Sequence, residues 1–532
     1  MINMNVKKIL SVLLIVTFVI TFFAGCGSGN NKASQQSNDN TSASKSNEKS
    51  NGEDKTAAEE VYTFKMFANF TPAEQSEADK AFFELVEREN NVKIDLEIPP
   101  STNYAERLQI MIAGGDYPEV VLITNSSDKV VLDAVKSGVF LPLNEYLENA
   151  PNLKQYTYDI SWESLKLTGD ENIYGIPRTS IARADGYIVR KDWLDKVGIT
   201  IPEDGAVTKE EFVQIVRAFT KEDPDGNGKD DTYGLAASTD SGDMGPLLAW
   251  PFGIIGWQKA DNGPYEYMNL QYSREHDNYK KALEFTQTLW KEGLIDPDWP
   301  VTKRDVSMER FKQGITGVIS EFAGWIPQYL DDMLPINPNV ELTYITGVKN
   351  DDGIVEGGSF STGFWGFWAI TTSAKKPERI IQVFDWLLSD DGWNAANYGP
   401  EGVTYTVEGD KKVATDLYQD FKWGRAIVRR NNDPGFFVPL NTPSDLQPKL
   451  EKWIGICIDQ FVFSLDRGYR PAAADNPEFI DYSQKTYAQT ISKIIVGELP
   501  VSVYDELLEG WYENGGEEYV QQMNEYIKSM EE

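Results

Sequence analysis

The chain has 532 residues, 83 acidic and 50 basic, for a formal net charge of −33 at neutral pH. So acidic a surface argues against nucleic acid and against adhesion to anionic lipid, both of which call for basic patches. Two cysteines and one histidine exclude a disulfide-rich scaffold and a zinc site built from several histidines.

Lys7 and Lys8 precede an apolar run, Ile9 to Phe23, that closes on Ala24-Gly25-Cys26. A charged start, an apolar middle and small residues before a cut site make a secretory signal. The run is short for a membrane span, which needs about 20 apolar residues. Phe23-Ala24-Gly25-Cys26 resembles a bacterial lipobox, with Phe where Leu is usual. The resemblance implies removal of residues 1–25, a diacylglyceryl thioether on Cys26, and a bacterial protein held on the extracellular face of the cell membrane. Two acyl chains suffice for stable anchoring. Residues 26–60 then hold the lipidated cysteine and a Ser/Asn/Lys tract that buries too little surface to offset its ordering entropy, so a flexible tether is expected.

The folded part is expected from Val61. Tyr62–Phe67 alternates like a strand. Ala73 to Asn90 places Ala78, Ala81, Phe82, Leu85 and Val86 at helical spacing, and Val92–Ile98 alternates again. Residues 104–113 read as a helix and Val120–Ile123 as a short buried strand. Strand, helix, strand, helix, strand predicts parallel pairing in an α/β lobe. Further on, Thr208-Lys-Glu-Glu211 is a capping box before Phe212, Ile215, Val216 and Phe219, and Ile380, Ile381, Phe384, Leu387 and Leu388 mark a later helix. More than 450 ordered residues exceed one core, so at least two lobes are expected.

The sharpest local chemistry is Asp223-Pro-Asp225-Gly-Asn227-Gly228-Lys229-Asp230-Asp231. Oxygen side chains fall at positions 1, 3, 5 and 9 of an EF-hand-like loop, Gly at 6, and the Lys229 carbonyl at 7. The spacing predicts structural calcium held by Asp223, Asp225, Asn227, Lys229 and Asp231, although position 12 is Gly234 rather than Glu. An ion-free Asp/Gly turn is the other reading. Cys457, in an apolar stretch, reads as a buried small hydrophobe. His276, in Ser-Arg-Glu-His-Asp-Asn, reads as a surface residue.

Ala113-Gly-Gly-Asp-Tyr-Pro-Glu-Val120, Tyr174-Gly-Ile-Pro177, Val189-Arg-Lys-Asp-Trp-Leu-Asp-Lys-Val-Gly198, Glu292-Gly-Leu-Ile-Asp-Pro-Asp298, Asn397-Tyr-Gly-Pro-Glu-Gly-Val-Thr-Tyr405 and Ile494-Ile-Val-Gly-Glu-Leu-Pro500 occur in this order. Together they resemble the family 1 extracellular solute-binding proteins of ABC transporters, closest to the large lipoprotein members and the bacterial alginate-binding proteins. The latter close a similar calcium loop with an Asp-Glu pair, where this chain has Asp231-Thr232. The resemblance implies a type II periplasmic-binding-protein-like α/β fold with a ligand cleft between two lobes. Residues 61–178 and 366–425 would form lobe 1, and 179–365 and 426–532 lobe 2. It implies a receptor that hands its solute to the membrane permease subunits of an ABC importer, and the receptor is expected to act as a monomer.

Sugar sites combine aromatic platforms with polar side chains, because pyranose rings present apolar faces edged by hydroxyls. Gly-flanked Trp257, Trp325 and Trp365 suit such platforms, and Tyr398 and Glu401 lie in the family's Asn-Tyr-Gly-x-Glu-Gly segment. Arg178 and Arg183 stand near the first lobe crossing, where they could pair with an acidic sugar or form ordinary surface ion pairs. Asn69 follows the first strand, where α/β clefts open. The expected function is capture of an oligosaccharide without catalysis. A surface glycan-degrading enzyme, whose two carboxylates so acidic a chain could always supply, and a peptide or small-solute receptor on the same fold stay open.

Overall fold

The structure, a computed structural model, describes residues 60–69, 74–99, 104–167, 170–180, 185–238, 249–358, 362–431 and 433–531. Cys26, the tether and Arg183 lie outside the described residues. With strands numbered along the chain, the first stretch is Tyr62–Phe67 (β1), helix Glu77–Asn90, Val92–Glu97 (β2), helix Tyr104–Gly114 and Val120–Ile123 (β3). The first helix starts at Glu77 because Ser76 and Asp79 form a reciprocal capping box, which satisfies two of its orphan amide donors. β1 pairs in parallel with both β2 and β3, as helical crossovers require. All four residues of β3 are buried, which is why they form an unbroken apolar run.

Two distant strands complete this sheet: Ile176–Thr179 (β4) and Phe364–Ile370 (β14). The order is β2-β1-β3-β14-β4, with β14 antiparallel to both its neighbours. A second sheet contains Gly186–Arg190 (β5), Tyr233–Leu235 (β7), Thr316–Glu321 (β10) and Leu342–Ile345 (β11), in the order β11-β5-β10-β7. Four short pairs decorate the sheets: Ala206–Val207 (β6) with Gly347–Val348 (β12), Trp257–Lys259 (β8) with Tyr267–Asn269 (β9), Gly357–Gly358 (β13) with Phe461–Val462 (β17), and Tyr405–Glu408 (β15) with Lys411–Ala414 (β16).

The architecture is α/β and two-lobed, and each large sheet has its own apolar core. Residues from Phe64 to Ile176 and from Phe364 to Phe436 pack on the first sheet. The second sheet is covered by two clusters that draw on residues 187–348, 438–457 and 479–527. The chain leaves the first core after Ser180, is in the second from Asp185 to Gly358, and is back on the first from Thr362. It crosses again at Phe437, which packs against both sides. That last passage is tied down by Asp79, fully buried, whose carboxylate accepts from the amides of Lys422 (2.9 Å) and Trp423 (2.8 Å). Among the described residues no helix is long and apolar enough to cross a membrane.

Candidate binding site at the sheet edges

Strand register places the candidate residues. Phe364 pairs with Thr179, so the start of β14 lies beside the end of β4. β14 also meets the end of β3 through Phe367 and Ile123. The carboxyl ends of β1, β3 and β4 therefore share one edge of the first sheet, and it carries Asn69, Arg178 and Trp365. In the second sheet Glu321 pairs with Gly186 and Ile345 with Tyr187. The carboxyl ends of β10 and β11 thus flank the start of β5. Thr179 and Gly186 are seven residues apart, at most about 24 Å of chain, so a short crossing joins the two edges. Open α/β sheets bind ligands beyond their carboxyl edges.

Trp365 is turned outward by a bulge. The register of β14 shifts between Phe364 and Phe367, and Gly366 takes φ +72 in the left-handed region. A Cβ on Gly366 would lie 2.7 Å from the Ile123 carbonyl oxygen. The indole of Trp365 is 45 % exposed, whereas Phe364 and Phe367 on either side of the bulge are buried. The Arg178 guanidinium lies 5.0 Å from the Trp365 ring centroid, and its Nε donates to the carbonyl of Ala426. Arg178 is buried, and desolvation lowers its pKa to about 9, leaving it charged at neutral pH.

Trp325 reaches the edge of the second sheet by another route. β10 ends at Glu321, a 3-10 turn covers Ala323–Trp325, and Pro327 lies in the first turn of the helix Ile326–Met333 that follows. Trp325 is 53 % exposed. Four residues earlier, the Glu321 carboxylate is paired with Arg304, accepts from the Phe322 amide (3.0 Å) and lies 3.4 Å from the Tyr329 hydroxyl.

The other predicted residues are placed differently. Trp257 is only 5 % exposed. Its backbone holds Ser464 and Leu465, and its ring packs toward Tyr519 at 6.1 Å, so it belongs to a packed core and not to an open edge. Flanking glycine signals a turn, but not which way the ring faces. Tyr398 is half-buried against the β15–β16 hairpin, 6.2 Å from Tyr405 and under Lys412. Glu401 lines a groove of about 470 Å³ beside the first helix, which none of Arg178, Trp325 and Trp365 lines. Asn69 is half-buried, and its Oδ1 is buried without a hydrogen-bond partner.

Two groups were not singled out by the sequence reading. Arg425 and Arg429 both lie over the Phe436 ring, at 4.5 and 5.0 Å, where the chain crosses for the last time. The signal was there: residues 421–432 contain four basic residues and no acid in a strongly acidic chain. The second group joins Tyr158 to the 461–467 segment. The Tyr158 and Phe463 rings meet at 5.3 Å, and Ser164 Oγ donates to the Arg467 carbonyl at 3.0 Å.

In the 223–231 loop, Asn227 Nδ2 donates to Asp225 (2.7 Å) and Asp231 (2.9 Å), and Asp223 accepts from the Gly228 amide (3.1 Å). Gly226 and Gly228 both have positive φ, as the tight bend demands. Among the described residues no three His, Cys, Asp or Glu side chains converge closely enough to hold a metal. Two observations still suit a cation. Asp223 Oδ1 is buried without a hydrogen-bond partner. Partial burial first, and then the carboxylates of Asp223 and Asp231, raise the Asp225 pKa. Position 12 is closed to a ligand: a Cβ on Gly234 would lie 2.2 Å from the Val216 carbonyl oxygen. Cys457 is fully buried, and half-buried His276 has Nδ1 2.7 Å from Ser273 Oγ.

Residues 68–392, more than half of the chain, match the model of the bacterial extracellular solute-binding protein family. The polygalacturonan/rhamnogalacturonan-binding protein YtcQ of Bacillus subtilis is 26 % identical over 86 % of this chain and 89 % of its own length. Among solved structures, alginate-binding protein AlgQ2 without calcium ion superposes with a TM-score of 0.63 at 20 % identity, covering 88 % of this chain and 99 % of AlgQ2. An EF-hand mutant of the Streptococcus pneumoniae substrate-binding protein FusA with fructo-nystose gives 0.64 at 18 % identity, with coverage of 88 % and 99 %.

Proposed function

The chain belongs to the bacterial extracellular solute-binding protein family, and we propose that it is a receptor for a carbohydrate, taken up between its lobes for an ABC importer. The observation that carries this reading is the pair of exposed indoles, Trp365 and Trp325, at the carboxyl edges of two sheets joined by a short crossing. A pyranose face against one such ring removes roughly 80 Å² of apolar surface from water, about 2 kcal/mol. A ligand that touches both edges stabilises the closed arrangement because it contacts both lobes only there. The carbohydrate named for the YtcQ relative supports the ligand class. The residues proposed for the site are Trp325, Trp365, Arg178 and Asn69. Its lobes are proposed near the expected bounds, 61–178 with 366–425 and 179–365 with 426–532, moved so that β4 and β14 stay whole in the first and the last crossing falls at Phe437. Arg183 and the lipidated Cys26 remain part of the proposal, as do monomeric action and the absence of catalysis.

Calorimetric titration with oligosaccharides and peptides tests the ligand class. A sugar is expected to bind without being cleaved. Binding of a peptide and no sugar would overturn the reading, as would turnover of a polysaccharide by purified protein.

Calcium in the 223–231 loop is proposed as a structural ion, held by Asp223, Asp225, Asn227, Asp231 and the Lys229 carbonyl. The buried, unsatisfied Asp223 Oδ1 supports it, and the name of the FusA EF-hand mutant is in keeping with it. With position 12 closed by Gly234, the affinity expected is that of weak extracellular sites, about 10⁻⁴–10⁻³ M. A chelator should lower the melting temperature and excess calcium restore it. An unchanged value in both would remove the ion.

A further inference from the structure

A narrow cavity lies where β5 begins and β11 ends, at the carboxyl edge of the second sheet. The fully buried Tyr187 and Thr346 line it together with half-buried Asp185, Trp250 and Glu356. β11 and β10 are the two neighbours of β5, roughly 10 Å apart, so the cavity adjoins the same edge as Trp325 from the other side of β5. A Cβ on Gly347 would lie 2.2 Å from Val355 Cγ1, so only glycine lets Val355 pack this closely and carry Glu356 to the cavity. The open volume is about 10 Å³, enough for one oxygen-sized group and too little for a sugar ring.

Tyr187 gives the cavity its chemistry. The residue is 1 % exposed, and its hydroxyl is buried without a hydrogen-bond partner. Burial raises its pKa above the ordinary phenol value, so the hydroxyl keeps its proton and can donate. Phenylalanine would pack against Phe212 equally well and leave no polar atom unmatched. Thr346, by contrast, is matched: its Oγ1 donates to the Asp204 carbonyl at 2.9 Å. Buried hydroxyls are rarely left without a partner, and the adjoining cavity is the place from which one can come. Beside it stand the Glu356 carboxylate, which accepts hydrogen bonds, and the Trp250 indole, which offers an apolar face. Donor, acceptor and flat ring together suit a hydroxyl carried on a sugar. Such a group accepts from Tyr187 and donates to Glu356, whereas a methoxyl has no proton to donate and an acetamido group exceeds the space.

We propose that the cavity is a selectivity subsite: one hydroxyl of the captured oligosaccharide enters it between Tyr187 and Glu356, while the ring that bears it lies against Trp250. The inference rests on the proposed carbohydrate function and adds which substituent the second lobe reads, and with which residues. A water held permanently in the cavity would match Tyr187 in the free protein. It predicts lost stability and unchanged affinity when the hydroxyl is removed.

The test is calorimetry on the purified full-length protein with trigalacturonate, kestose and mannotriose, three trimers that all carry ring hydroxyls. Tyr187→Phe should weaken each trimer that binds by about tenfold, with the melting temperature of the free protein unchanged or raised. Glu356→Gln, at a half-buried position, should weaken the same trimers by about threefold. The double variant should lose less than the product of the two, because both residues act on one hydroxyl. Unchanged affinity in Tyr187→Phe would overturn the inference, and a lower melting temperature beside it would identify the permanent water. Losses that simply multiply would overturn the shared hydroxyl. If a trimer binds the unmodified protein and Tyr187→Phe alike, only this inference fails. If no trimer binds at all, the proposed function fails with it.

Discussion

The two sheet edges present the same kind of ring on opposite electrostatic footings. At the first, Trp365 lies on the buried guanidinium of Arg178, with Arg425 and Arg429 nearby. At the second, Trp325 follows Glu321, whose carboxylate is already matched by Arg304 and by a backbone amide. The means of exposure differ too. A left-handed glycine in a bulge turns Trp365 out of an otherwise buried strand, while a 3-10 turn carries Trp325 beyond the end of one. An exposed indole thus stands at each edge, while the arginines cluster at the first edge alone among the residues named. The two rings therefore sit in different surroundings, arginine side chains beside Trp365 and a matched carboxylate before Trp325.

Trp257 is the control for both edges, and its replacement should have the largest effect. Trp257→Ala empties a core position between Ser464 and Tyr519 and should cost about 3–5 kcal/mol of stability, read in chemical denaturation, with ligand affinity of the folded protein little changed. Intact stability with lost affinity would make it a platform and dissolve the distinction between packed and open tryptophans.

Gly366→Ala attacks the device that exposes Trp365. The new Cβ would meet the Ile123 carbonyl, and a non-glycine residue would have to hold φ +72. A loss of about 1–3 kcal/mol in stability is expected, accompanied by weaker ligand binding because the ring is displaced. Unchanged binding would mean the bulge does not aim the indole.

Direct removal of the rings comes next. Trp365→Ala and Trp325→Ala should each lower affinity by about 2 kcal/mol, roughly 30-fold, at nearly constant melting temperature. A loss at one edge alone would break the two-sided site into a one-sided one.

Much of the first sheet was legible because its signals are local. Alternation marked β1 and β2, helical spacing marked the helix between them, and a capping box set the start of helix Lys209–Lys221 at Thr208. What pairs β14 with β4 lies some 190 residues away along the chain, so the contact between Arg178 and Trp365 had no local signature. Trp257 was misjudged for the same reason: Tyr519, which it packs toward, lies more than 250 residues later. The calcium loop was legible as a pattern of oxygens, yet the meaning of Gly234 was not. Only the close passage of Val216 explains why no side chain fits there.

The smallest effect concerns the segment that joins the two bodies near Phe463. Asp466 is largely buried within it, one oxygen lacks a hydrogen-bond partner, and burial raises its pKa above the ordinary carboxylate value, against weaker lowering by hydrogen bonds from Ser464 and the backbone. The folded state therefore holds this proton more tightly than the unfolded chain does. Stability falls as pH rises from the ordinary carboxylate pKa through the raised one. Asp466→Asn keeps the shape and removes the charge. It should stabilise the protein at pH 7 by less than about 1 kcal/mol, with the gain vanishing below the unfolded pKa near pH 3. Calorimetric melting of both proteins at the two pH values reads the difference. Destabilisation at pH 7 would instead mean that the ionised Asp466 is matched by a cation across the joint, and that the contact between Ser164 and Arg467 is held by charge as well as by packing.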